Sequence, residues 1–458
     1  MNIGDEYKVS IEKLSNLGLG IARIDGIVVF VENACVGDEV KIKITQKKKA
    51  FANAIIVDII NPSQHRIEPF CPMQKVCGAC QLQFIDYDYQ LQIKREIVKD
   101  TLHSIGGIDI DIPFPIASPE IKEYRCKVQY PIGQTKVSKK ILAGYYKQKS
   151  HEIVNIKYCP IQPRICDDII NFIREKAFEL GVSGYNEKKH IGDLRHVVIR
   201  HSKATNKNLV VLVVNAKKSF KKVEDLANSI YSQFKDVCGV CLNFNPQKTN
   251  LILTENSQLI IGKDFVKERI LDKTFRIGTN SFFQVNPKSA ENIFAYVRNY
   301  IKSEFENPTL LDAYAGVTTF GIVLSDVCKK VVSVEECKEA VNIAEDLCKL
   351  NEIDNIELHN MDSEKFFEKD LKTKKRKFDV AVIDPPRKGA TEKTLEYLLA
   401  LTKNKIIYVS CNPATLARDL KYLMSRGAKI EIIQPFDMFC HTYHVENVAV
   451  IDVKDVNK

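Results

Sequence analysis

Four side chains late in the chain are of kinds that do covalent or acid–base chemistry, and each sits at an end of an apolar run. Cys411 ends the run in "KIIYVSCNPATL", Asp384 ends "FDVAVID", Glu335 ends "VVSVE", and Glu446 opens the run in "HVENVAVIDV". A cysteine in such a place can be core filler, a metal ligand or a nucleophile. Only the thiolate attacks, and an unperturbed thiol with a pKa near ~8.5 is a few per cent ionised at neutral pH. Asn412 suits a helix cap and Pro413 a first helical residue, with Leu416, Leu420 and Leu423 on one face behind them. Cys411 is therefore expected just before a helix N-terminus, whose partial positive charge favours the thiolate. Asp384 is followed by Pro385-Pro386, which hold the backbone extended and fix the carboxylate against a planar partner. A capping Asp in an ordinary turn gives the same pattern. Glu446 follows His441, Tyr443 and His444 and reads either as a general base or as part of a solvated loop. The two histidines, at i and i+3, have zinc-ligand spacing but no third ligand nearby.

Two further groups suit a bound cofactor. The turn "LDAYAGVTTFG" is a strand, a glycine turn and a helix start, and Glu335 comes nineteen residues after Gly316. An acid so placed accepts hydrogen bonds from ribose hydroxyls, in a dinucleotide or in S-adenosylmethionine; the lack of a full G-x-G-x-x-G disfavours the dinucleotide. In "CPMQKVCGACQLQF" the spacing is Cys71-x5-Cys77-x2-Cys80, and Cys159 in "KYCP" is the best fourth ligand. Thiolates in this number serve zinc and iron–sulfur clusters equally. A second close pair, Cys238-x2-Cys241, lies in an apolar strand-like run and reads as core, as do Cys328, Cys337 and Cys348 in or beside helical stretches.

The elements that must position these groups follow from periodicity. From about residue 276, apolar strands alternate with helical stretches such as "KEAVNIAEDLCKLN". That order implies βαβ units, a parallel sheet with helices on both faces, and ligands beyond the carboxyl ends of its strands. The first sixty residues read as all-β: Val40, Ile42 and Ile44 alternate with lysines, and "GIVVFVEN" and "FANAIIVDII" are further strands between glycine turns. Short strands packed so closely suggest a closed barrel of the OB type, a frequent nucleic-acid platform. The expected α/β organisation is a barrel over 1–62, a central cysteine-bearing domain over 63–275, and a Rossmann-like domain over 276–458, in keeping with 458 residues being too many for one core.

Charge is unevenly placed. The chain carries a net +9; residues 1–62 are neutral, 276–458 carry −1, and 63–275 carry +10, with doublets at Lys139-Lys140, Lys188-Lys189, Lys217-Lys218 and Lys221-Lys222. A polyanion partner and a solvated surface both account for it. No apolar run nears the ~20 residues of a membrane helix, and "MNIGDEYKVS" lacks the form of a secretion signal. A cytoplasmic protein with its 14 cysteines reduced or metal-bound is expected.

In combination, "SFFQVN", "LDAYAG", "VEE", "DPPRKG", "YVSCNPATLARDL" and "HTYHVE" resemble the RNA 5-methyluridine methyltransferases. The resemblance covers most of the chain, with the barrel similar to a TRAM domain. It implies methylation of uracil carbon 5 with S-adenosylmethionine, Cys411 as nucleophile and Glu446 as base. It also implies Gln284, Tyr314, Glu335 and Asp384 at the cofactor, with Asp384 close to the target uracil as well, and a [4Fe–4S] cluster on Cys71, Cys77, Cys80 and Cys159. The expected partner is RNA, most of all 23S ribosomal RNA, because the barrel and cysteine segment are features the smaller tRNA-type members lack. Alternatives are a tRNA uracil-5-methyltransferase, a catalytically silent iron–sulfur RNA-binding protein, and an amino-group methyltransferase using the DPP loop as clamp. Two departures stand out: Thr318 and Ala315 replace a Gly and a frequent Cys of the first turn, and Cys440 stands where a Pro commonly does. The uridine modified and the oligomeric state have no signature in the sequence.

Overall fold

A computed structural model describes residues 1–373 and 376–456. The C-terminal sheet has seven strands: β1 (Thr309–Ala313), β2 (Lys330–Glu335), β3 (Ile356–Asn360), β4 (Phe378–Ile383), β5 (Thr402–Ser410), β6 (Lys429–Phe436) and β7 (Glu446–Asp452). Their order in space is β3-β2-β1-β4-β5-β7-β6. Strands β1 to β4 were legible as apolar runs except β3, "IELHN", an edge strand that is only half-buried. Along β4, Val380 and Val382 enter one apolar layer while Ala381 and Ile383 enter the other. Burial on both faces is why the run is continuous rather than alternating.

One expectation needs correcting. The sheet is not wholly parallel, because β7 runs antiparallel to both β5 and β6. No crossover helix precedes β7; the chain turns back through Asp437–Val445 instead, and a short return can only make an antiparallel partner.

The helix Pro413–Ser425 starts as its sequence dictates: the Asn412 side chain accepts the Ala414 N–H at 3.1 Å, Pro413 occupies the first turn, and Leu416, Leu420 and Leu423 are fully buried. The central region is a six-stranded sheet ordered Ser257–Gly262, Val237–Phe244, Asn208–Val214, Leu194–His201, Lys127–Gln134, Ile141–Ala143. Helices Arg164–Glu179 and Lys221–Gln233 cover one face through Ile169, Ile173, Leu226 and Ile230. The other face, including Val211, Val213 and Cys241, shares a core with Phe294 and Val297 of the catalytic half, so Cys241 is core as expected.

At the N-terminus six strands form a curled half-barrel rather than the closed barrel expected, since among the described residues its two outermost strands do not pair; Val40, Ile42 and Ile44 point inward. Its two outermost strands, Glu6–Ser10 and Lys13–Leu14, are consecutive in the chain. One bent segment therefore spans the open side, with Ile11 N–H donating to Asp38 and Glu12 N–H to Ile21. Among the described residues no helix is long and apolar enough to cross a membrane.

Candidate active site

The register of β5 against β7 places the two reactive side chains together. Tyr408 pairs with Ala449, Val409 with Val448, and Ser410 with Asn447; Cys411 follows directly after the last of these pairs and Glu446 directly precedes it, so the register carries the two toward each other. Directly opposed residues of an antiparallel ladder lie about 4.5–5.5 Å apart at Cα and share a face of the sheet. Both line a cavity of about 340 Å³ at the carboxyl ends of β1 and β4, together with Gln284, Tyr314, Asp312, Asp384 and Arg387. Five of the six residues expected at the nucleophile, base or cofactor thus meet in one place.

Glu335 stands at its edge. Its Oε2 accepts the Gly316 N–H at 2.9 Å and its Oε1 the Cys337 N–H at 2.8 Å, tying the end of β2 to the first turn. That turn is conformationally demanding: Tyr314, Gly316 and Thr318 are all left-handed, at φ 58°, 56° and 61°. For a β-branched residue such as Thr318 this is strained. At Gly316 nothing lies within 4 Å of where a Cβ would stand, so bare backbone faces the cavity, as close approach of a cofactor requires. The cavity's size, its aromatic and glycine lining and its carboxylates fit an adenosyl amino-acid group.

Burial and neighbouring carboxylates work against the thiolate that the helix start favours. Burial, then the Glu446 carboxylate, push the Cys411 thiol up to about 11, with Arg387 pulling the other way and Asp384 adding to the rise. A helix start exerts only a fraction of a charge, which two nearby carboxylates and a desolvated position outweigh. Burial also lifts Asp384 to about 7, and Asp312 to about 7 despite hydrogen bonds from Gly321 N–H and Ser333 Oγ. Glu446 is raised well above the usual carboxylate range by burial and by Asp384, against Arg387. With the cavity empty, burial opposes ionisation at each of these groups.

The loop that delivers Glu446 is buried, not solvated. Asp437 pairs with Lys94 at 2.6 Å, both side chains fully buried, and Tyr87 OH donates to the same carboxylate at 2.8 Å. Tyr124 OH donates to the Cys440 carbonyl, and Gln90 accepts the His441 N–H. His441 also has both ring nitrogens engaged, by Ile121 O at 2.8 Å and Gln90 at 3.3 Å. It is held in place rather than free to bind zinc. Burial depresses both His441 and His444 to about 4.

Sequence reasoning gave no role to Arg387, Asp312 or Phe282. The first lies inside "DPPRKG", and its function shows only once Cys411 and Glu446 are brought beside it. Phe282, 68% exposed, lines the same cavity; an exposed Phe beside polar groups in "NSFFQ" was the available signal.

Cys71, Cys77, Cys80 and Cys159 line one small cavity with Met73, Ile156 and Ile161. Burial raises all four thiols, Cys80 to about 12. The buried Arg125 guanidinium lies within their field, and its Nε has no hydrogen-bond partner. Among the described residues, no group of three or more His, Cys, Asp or Glu side chains is arranged to hold a metal ion.

Comparison with known proteins follows the same lines. The family profile described as tRNA (Uracil-5-)-methyltransferase matches residues 86–454, and that of the TRAM domain residues 2–57. An uncharacterized RNA methyltransferase of Clostridium tetani is 38% identical over 445 residues, 97% of this chain and 96% of that protein. One of Halalkalibacterium halodurans is 36% identical over 460 residues, 99% and 98% of the two chains. The crystal structure of Pyrococcus abyssi tRNA (uracil-54, C5)-methyltransferase, in complex with S-adenosyl-L-homocysteine, aligns with a TM-score of 0.76 at 28% identity. That alignment covers 97% of this chain and 100% of that one.

Proposed function

The chain belongs to the RNA uracil-5-methyltransferase family, enzymes dependent on S-adenosylmethionine, and on that premise we propose that Cys411 is its nucleophile, Glu446 its base and 23S ribosomal RNA its substrate. The observation that supports the catalytic reading is that Cys411 and Glu446, at the end of β5 and the start of the strand paired with it, line one cavity with Tyr314 and Asp384.

Uracil carbon 5 is a poor nucleophile, and each residue answers one part of that problem. Cys411 first gives up its proton to water in the open cavity, which the neighbouring Arg387 guanidinium assists by favouring the anion. The sulfur then bonds to carbon 6, and the displaced π pair makes an enolate with electron density at carbon 5. Bound S-adenosylmethionine supplies an electrophilic methyl group. Carbon 5 takes the methyl group, the methyl–sulfur bond breaking to leave neutral S-adenosylhomocysteine; Glu446 in its ionised form removes the carbon 5 proton, and the returning electron pair expels the Cys411 thiolate. Glu446 is suited to receive that proton because its surroundings favour the neutral acid. Gln284, Tyr314 and Glu335 are read as cofactor contacts. Asp384 faces both partners. Carbon 6 of a stacked base is out of reach, so the target must be unpaired or flipped into the cavity, with Phe282 offering a stacking face.

We read Cys71, Cys77, Cys80 and Cys159 as ligands of a [4Fe–4S] cluster, supported by their shared cavity and the buried Arg125. It would cross-link the segment that holds the Glu446 loop, since methyl transfer moves no electron. Iron and sulfide analysis of anaerobically purified protein tests this; stoichiometric zinc without iron would overturn it.

A second reading for the substrate, tRNA, is favoured by the Pyrococcus abyssi enzyme, a tRNA methyltransferase aligned over its whole length. Chain extent therefore does not separate the two RNAs. Mapping 5-methyluridine in cells lacking the protein does: loss from 23S ribosomal RNA supports the first reading, and loss confined to tRNA replaces it with the second.

A further inference from the structure

The positive charge of the central region converges on one end of its sheet. The strand register brings Gln134, Leu194, Val214 and Phe244 to the same edge. The loops leaving that edge carry the doublets Lys139-Lys140, Lys188-Lys189 and Lys217-Lys218, all exposed. Among the described residues none of these six lysines has a carboxylate within ion-pair distance, whereas Lys203, Lys207 and Lys221 elsewhere in the region each have one. The acids on the same loops are engaged, Glu187 by His151 at 3.0 Å and Asp193 by Ser183 at 2.7 Å. Beside this edge lies a groove of about 1000 Å³ bordered by Tyr146, Tyr185, His151, Lys188 and Lys248, with Glu152 and Glu187 also on its wall. Its wall is fixed from behind by the cysteine loop, where Gly78 N–H donates to the Tyr146 carbonyl at 3.1 Å.

The opposite end of the same sheet adjoins the catalytic cavity: Cys126 N–H donates at 2.7 Å to the carbonyl of Val285, next to Gln284. The strand between the two ends, Lys127–Gln134, is about 23 Å long at ~3.3 Å per residue. Unpaired lysines on four neighbouring loops make a field suited to a row of phosphates, and tyrosine and histidine rings at their border suit unstacked bases.

We propose that this lysine-bearing end of the central sheet docks a part of the RNA substrate remote from the target uridine. The inference rests on the RNA-methyltransferase reading and adds to it a second contact, across the sheet from the reaction. A short RNA reaches only the cavity; a long one reaches both.

The test compares the full-length protein with a combined Lys139→Gln, Lys140→Gln, Lys188→Gln, Lys189→Gln variant, all surface positions. Transcribed 23S ribosomal RNA and hexauridylate are titrated at rising salt. For the transcript the variant is expected to bind at least ~10-fold more weakly, with the slope of log affinity against log salt smaller by about 3, given ~0.7–0.9 per lost phosphate contact. Hexauridylate binding stays unchanged. An unaltered affinity and slope for the transcript overturns the proposal, as does an equal loss on hexauridylate. Loss of binding only to anionic phosphatidylglycerol vesicles overturns it in favour of a membrane surface. Methyl incorporation by the unaltered protein is followed in parallel, so that failure of catalysis is read separately from failure of docking.

Discussion

At the scale of single residues, burial in the site opposes charge. Cys411 sits at about 11 and Asp384 at about 7, because burial penalises charge at both and the carboxylates oppose ionisation of the thiol. Removing one carboxylate should lower the thiol. Asp384→Asn is expected to shift the pH midpoint of Cys411 alkylation by iodoacetamide downward; an unmoved or higher midpoint would contradict the arrangement. The same change bears on stability. A carboxyl raised from 3.8 to about 7 costs the folded chain nothing below the unfolded value, where both states are protonated. The cost grows as pH rises and is complete above about pH 7. Asp384→Asn should therefore stabilise by on the order of 2–4 kcal/mol at pH 8, with less than half of that remaining at pH 5. Denaturant titrations at the two pH values check it. Cys411 and Glu446 were legible in the sequence as candidates. The raised thiol was not, because the carboxylates responsible lie 27 positions before and 35 positions after it in the chain.

At the scale of elements, strands β1, β2, β4 and β5 could be read from uninterrupted apolar runs. The direction of β7, on which the site depends, could not, since apolar patterning carries no sign of strand direction. The cofactor turn is tightly fitted: a Cβ at Gly321 would stand 2.6 Å from Thr318 Cγ2, 2.8 Å from Ser333 Oγ and 3.0 Å from Asp312 Oδ2. Gly321→Ala must therefore displace the turn, and is expected to weaken S-adenosylmethionine binding about tenfold or more and to destabilise by ~1–3 kcal/mol. Calorimetric titration with the cofactor measures the first effect, and wild-type affinity would show that the turn yields freely. The return loop before β7 is held by the Lys94–Asp437 pair, whose members are 343 positions apart in the chain. Lys94→Met strands a buried carboxylate and should cost about 3–5 kcal/mol, most of it regained in a Lys94→Met, Asp437→Leu double variant. Chemical denaturation of both variants reads this, and equal loss in the two would mean that packing, not charge, holds the loop.

At the scale of the whole molecule, composition gave the +10 of residues 63–275 without its geometry. Only the sheet register gathers three lysine doublets at one edge and sets the catalytic cavity at the other. The cysteine segment has a similar history: spacing picked out three cysteines with Cys159 as the best candidate for a fourth, and the fold adds that the chain around them clamps the loop leading to Glu446. On the reading proposed above, a half-barrel, a central sheet and a Rossmann-like sheet serve one covalent event at Cys411. RNA carrying 5-fluorouridine tests that event most directly, because after methylation carbon 5 bears fluorine in place of the proton that Glu446 must remove, and elimination stalls. Incubation of the protein with such RNA and S-adenosylmethionine, followed by denaturing electrophoresis, should give an RNA–protein adduct that mass spectrometry locates at Cys411 and that is absent from Cys411→Ala. Failure of the active protein to form the adduct, or its formation by Cys411→Ala, would contradict the account.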